Sequence, residues 1–111
     1  MVISAKIGSS KTISFPITVN GVIFTNNDLT QLKVELYIEN KLISTYLLNN
    51  YIAGKRIYYA DNKFSIKLEA SQTLLYPEGE MIYKVTASIP DESFTEGFKY
   101  IKTDRIIEWM K

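Results

Sequence analysis

Hydrophobic and polar residues alternate with a period of two along most of this chain, the spacing of a β-strand with one buried face. Ile13, Phe15, Ile17 and Val19 alternate with Thr12, Ser14, Pro16 and Thr18. Pro16 has no N–H to give to a ladder, which assigns this first strand to a sheet edge. Asn20-Gly21 follows between Val19 and Val22 and supplies the positive φ values of a tight type I′ hairpin turn. Residues 22–24 are then a short return or a strand extension. In "LKVELYI" the side chains of Leu32, Val34, Leu36 and Ile38 fall on one face and those of Lys33, Glu35 and Tyr37 on the other. Glu39-Asn40-Lys41 offers turn chemistry, and residues 42–48 read as the hairpin partner.

Residues 51–62 are less regular, with Gly54 as a bend and 56–60 as a short strand. Phe64, Ile66 and Leu68 resume the alternation, as do Met81, Tyr83, Val85 and Ala87. Between them "EASQTLLYPEG" has the character of one helical turn, stopped by Pro77 and Gly79. After a loop with Gly97 at its tip, "KYIKTDRIIEWM" predicts a last strand ending near Trp109. Seven or eight short strands separated by turn signals predict an all-β chain. An antiparallel immunoglobulin-like β-sandwich fits that pattern best, with a small Greek-key barrel second.

Composition narrows the picture. At 111 residues the chain is expected to form one domain spanning 1–111, large enough to bury a core without disulfides or metal. Thirteen Lys and Arg against twelve Asp and Glu leave a net charge of +1, so no overall field attracts nucleic acid or an anionic membrane. Residues 1–20 lack the apolar core of a signal peptide and no stretch approaches a membrane span. The expectation is a chain made in a cytoplasm and kept there until assembly.

The absence of His and Cys removes the usual catalytic triads, thiolate chemistry and His/Cys metal sites. No metal or cofactor is expected, and no enzyme. Glu78, Glu80, Asp91, Glu92 and Glu96 fall near the loops flanking one strand and are the candidates for a two-carboxylate hydrolase; solvated loop carboxylates are the simpler reading. The five glycines are isolated, so no phosphate-cradling loop forms. "GKRIYYADNK", residues 54–63, joins three basic side chains to two tyrosines. That chemistry suits a partner-protein interface built on Arg56, Tyr58 and Tyr59, or stacking on bases or sugars. A strand using tyrosines for their β-propensity is the plain alternative. Trp109 poses the same choice, between capping the core and docking on a neighbour.

The order of "TISFPITVNG", "NNDLTQLKVELYI", "DNKFSIKLEASQTLLYPEGEMIYKVTASI" and "FTEGFKYIKTDRIIEW" resembles a family of small virion domains of tailed phages, found in auxiliary capsid, head-fibre and baseplate proteins. Where that family usually carries Tyr-x-Tyr-Asp, this chain has Met81-Ile82-Tyr83-Lys84. "LLYPEGEMIYKVTAS" is also similar to the corner of fibronectin type III domains, and in that likeness Tyr76 or Tyr83 pins the corner through its hydroxyl. The abundance of Asn, Lys, Ile and Tyr looks like that of AT-rich tailed phages of gut bacteria, including crAss-like phages. The resemblance implies a non-enzymatic structural protein of the virion, an auxiliary capsid, decoration or head-associated protein. Its partners would be the major capsid protein, head fibres or tail and baseplate components. It implies no membrane and no specific nucleic acid. A baseplate or tail adaptor is the alternative within that class, and a carbohydrate-binding module the alternative outside it.

Overall fold

The computed structural model describes residues 2–52 and 54–111; Met1 and Ala53, the latter inside the irregular 51–62 stretch, lie outside them. The fold is all-β apart from a 3-10 turn, Asn26–Asp28, and one turn of helix, α1 (Ala70–Thr73). The strands are β1 (Ile3–Lys6), β2 (Lys11–Phe15), β3 (Thr18–Val19), β4 (Val22–Ile23), β5 (Gln31–Ile38), β6 (Lys41–Leu47), β7 (Tyr58–Ala60), β8 (Lys63–Leu68), β9 (Gly79–Ile89) and β10 (Phe98–Met110). A five-stranded sheet runs β1-β10-β9-β5-β6, a three-stranded sheet runs β2-β8-β7, and β3 and β4 form a separate hairpin. All pairings between named strands are antiparallel except that of β1 with β10.

The alternating residues do what their period requires. Leu32, Val34, Leu36 and Ile38 of β5, Phe64, Ile66 and Leu68 of β8, and Met81, Tyr83, Val85 and Ala87 of β9 are buried together in one core with Ile107 and Trp109. Three two-residue turns carry positive φ at both positions: Asn20-Gly21, Glu39-Asn40 and Asp61-Asn62. Such turns match the right-handed twist of the strands they join, and they fix the registers Val19↔Val22, Ile38↔Lys41 and Ala60↔Lys63.

Pro16 breaks the strand expected over residues 13–19 into β2 and β3, and β2 is indeed an edge strand. The two-residue hairpin β3–β4 brings the total among the described residues to ten strands, eight of them in the two larger sheets. β1 is an addition to the sequence expectation. Only Ala5 of its four residues is buried, so its pattern carries no apolar stripe, and its place is set by pairing beside Ile107–Met110.

β10 departs most from simple alternation. Phe98, Tyr100, Lys102 and Asp104 lie opposite Ile89, Ala87, Val85 and Tyr83, on the core-facing side of the sheet. A bulge between Arg105 and Ile107 then shifts the phase, so that Ile107 and Trp109 point into the core. The preceding loop closes on Gly97, whose φ is +75° and whose Cβ, if present, would stand 2.5 Å from the Ile89 carbonyl oxygen. Only glycine fits there without moving the backbone.

The stretch from α1 to β9 carries the chain from the smaller sheet to the larger. Thr73 Oγ1 ties it down by donating to the Ser9 carbonyl at 2.8 Å. Tyr76 packs edge-on against Trp109, with ring centroids 5.2 Å apart. The corner is not pinned through the Tyr76 hydroxyl, which is buried without a hydrogen-bond partner. Tyr83 instead sets its ring edge-on to Phe15 at 5.7 Å. Leu75, 84% exposed, takes no part in the core.

Candidate functional site

Arg56 and Tyr58, two residues apart in nearly extended chain, point the same way. The guanidinium carbon of Arg56 lies 5.1 Å from the centre of the Tyr58 ring and 5.5 Å from that of Tyr51. Lys67 joins them from β8. Tyr58 pairs with Ser65, which makes Lys67 a diagonal neighbour on the same face, within reach of a long side chain. Its Nζ stands 4.7 Å from the Tyr58 centroid. Each such contact is worth about 0.5–1 kcal/mol at an exposed site, enough to bias the rotamers of the two cations.

Arg56, Tyr58 and Lys67 wall a cleft of about 220 Å³ with Lys55, Glu69, Gln72, Gly54 and Tyr46. The segment carrying Arg56 is held by β6: Leu47 N–H donates to the Lys55 carbonyl at 3.2 Å, and Ile57 N–H donates to the Leu47 carbonyl at 3.0 Å. At the floor, Gln72 Nε2 donates to the Tyr46 hydroxyl at 2.7 Å. Three cations face one carboxylate. Among the described residues no acidic side chain stands within ion-pair distance of Lys55, Arg56 or Lys67; the ion pairs present are Lys33–Glu35, Arg105–Glu80 and Lys111–Glu78.

Behind the floor lie two buried oxygens without partners, Ser44 Oγ and the Tyr76 hydroxyl. Burial, and next the neighbouring Tyr46, push the Tyr76 hydroxyl up to about 12. Ser44 and Gln72 approach closely enough to oppose that shift in part, but neither reaches hydrogen-bond geometry. A phenol whose folded pKa lies above its unfolded value of 10 contributes stability that is complete below pH 10 and is lost as pH rises through about 12. Tyr76→Phe removes that loss together with an unpaired buried hydroxyl. The expected result is stability at pH 7 equal to or above that of the parent, and a shallower fall between pH 10 and 12 in urea titrations. A Tyr76→Phe variant destabilised by more than about 1 kcal/mol at pH 7 would mean that the hydroxyl is bonded.

The other residues singled out in the sequence lie elsewhere. Tyr59 turns to the opposite side of β7, where it packs on Phe64 at 4.9 Å and donates to Asn62 Oδ1 at 3.1 Å. Trp109 is 1% exposed; of its two readings, the structure places it in the core. Glu78 and Glu80 sit at one end of β9 and Asp91, Glu92 and Glu96 beyond the other. Eleven strand residues at about 3.3 Å each separate the Glu78/Glu80 end from the Asp91/Glu92/Glu96 end by far more than the roughly 5–10 Å of a glycosidase pair. Among the described residues no group of His, Cys, Asp or Glu is arranged to hold a metal ion. No helix there is long and apolar enough to cross a membrane.

A second surface needs no side-chain chemistry. β1 covers only Ile107–Met110 of β10, so among the described residues the outer edge of β10 over residues 98–106 has no strand beside it. Its unpaired backbone groups are a template for a further strand. Phe98 and Ile101, the latter 59% exposed, lie along this edge, as do Lys99, Lys102 and Arg105. No family model, curated protein or solved structure matches this chain.

Proposed function

We propose that this chain is a non-enzymatic structural component of a tailed-phage virion, made in the host cytoplasm and bound in the particle to other virion proteins. In this reading it is an immunoglobulin-like sandwich acting as an auxiliary capsid, decoration or head-associated protein. The strand order supports the fold: β10-β9-β5-β6 stands for strands G-F-C-C′ and β2-β8-β7 for B-E-D. β1 fills the place of a first strand that has joined the last one.

The observation that carries the function is the free edge of β10. Among the described residues nine positions of β10 have no strand beside them; Lys99, Lys102 and Arg105 blunt this edge against indiscriminate pairing, while exposed Phe98 and Ile101 leave apolar surface for a chosen partner. Addition of a partner strand would satisfy the backbone groups, while the flanking side chains select the partner. Many copies on a repeating lattice would raise occupancy through multivalency when the domain is linked to multivalent neighbours.

The test is incorporation. Ile101→Lys places a charge on an exposed position and is expected to leave stability within about 0.5 kcal/mol while lowering recovery of the protein in purified particles about tenfold or more. Undiminished recovery would remove β10 from the interface. Glycan binding draws less support, because sugar stacking needs a free ring face and the Tyr58 ring already carries two cations.

A further inference from the structure

We propose that the cleft between Arg56, Tyr58 and Lys67 is a receptor for a carboxylate, supplied by an Asp or Glu side chain from an acidic segment of the partner protein. The inference rests on the reading that the partners are proteins, and adds the chemical identity of what they present.

Three observations converge. The cleft brings Lys55, Arg56 and Lys67 together with Glu69 as the sole acid in its wall among the described residues, so a ligand entering it meets an excess of positive charge. None of the three cations has a carboxylate within ion-pair distance among the described residues. Two of the three lie over aromatic rings instead: Arg56 over Tyr51 and Tyr58, and Lys67 over Tyr58. A ring under a cation orients it without neutralising its charge. The guanidinium is thus positioned with its donors uncommitted to any acid, and its planar fork matches a carboxylate in bidentate fashion.

The rest of the wall fits the same ligand. Gln72 and the Tyr46 hydroxyl, joined by their 2.7 Å hydrogen bond, form a polar floor. Glu69 lowers the positive charge of the cleft without cancelling it, with three cations to one acid in the described lining. About 220 Å³ accommodates one acidic side chain and its neighbouring methylenes rather than a folded ligand.

The experiment is a titration of ¹⁵N-labelled protein with a hexaglutamate peptide, with hexagalacturonate run in parallel. Saturable shifts confined to the amides of 54–58, Lys67 and Gln72 are expected, falling with added salt. Arg56→Gln should weaken binding about tenfold to a hundredfold, with the protein still fully folded at the temperature of the titration. Arg56→Lys should recover only part of it, because the fork is gone. Shifts elsewhere, no saturation, or undiminished binding by Arg56→Gln would overturn the proposal, and tighter binding of hexagalacturonate would overturn the choice of a protein segment. The titration is independent of the virion reading: a chain missing from purified particles defeats that reading and leaves the peptide result standing. A failed titration with the chain present in particles defeats the cleft alone.

Discussion

Trp109→Ala is expected to lower the stability of the folded chain by about 3–5 kcal/mol, the cost of deleting a large buried ring and leaving a cavity. Trp109 is 1% exposed and meets Tyr76 edge-on at 5.2 Å, in the corner where β1, β9 and β10 converge. Domains of this size hold only about 5–15 kcal/mol in total, so the melting temperature should fall by roughly 12 °C or more. The indole Nε1 is buried without a partner, which gives a control. Trp109→Phe keeps a ring against Tyr76 and discards the unpaired N–H, so its cost should stay below about 2 kcal/mol. Thermal and urea unfolding of the two variants measures the difference. Equal, small losses in both would mean that Trp109 lies at the surface.

Phe64→Ala should cost a similar ~3–5 kcal/mol at the other end of the core. The Phe64 side chain is fully buried, stacks with Phe15 at 6.1 Å and tilts against Tyr59 at 4.9 Å. Phe15 in turn meets Tyr83 of β9, so these rings join the three-stranded sheet to the five-stranded one. Phe64→Leu refills most of the volume and should cost roughly 1–2 kcal/mol. Phe64 and Trp109 share no ring partner, and independent sites add; the double alanine variant is therefore expected to be largely unfolded at 37 °C by circular dichroism. A folded double variant would show that the parent holds well over about 10 kcal/mol or that the two costs fall short of additive.

Much of this core was legible as alternation, because a buried face repeats every second residue and turn residues punctuate it. Leu32, Val34, Leu36 and Ile38 are the plain case, with Asn20-Gly21 as the plain turn. β1 escaped because a short strand set by its neighbour's edge carries no stripe of its own. The phase change in β10 escaped because one bulged residue reverses which side chains point inward. Trp109 was readable only as a choice between two fates, which the bulge decides by turning it into the core.

The candidate cleft was half legible. Arg56 and Tyr58 stand two apart, so their common face follows from strand geometry alone. Lys67 arrives through the β7–β8 register, and Gln72 through α1 and its bond to Tyr46. No spacing in the sequence announces either contact. Tyr59 was grouped with Tyr58 by adjacency, yet adjacency places the two rings on opposite faces of β7, one among cations and the other against Phe64.

An electron-microscopy map of the intact virion tests the proposed structural role in a phage particle. Density for this domain is expected at a repeated position, with a strand of a neighbouring protein laid against residues 98–106 of β10. A complete map with no density for the domain, from particles whose mass spectrum holds none of its peptides, would contradict it.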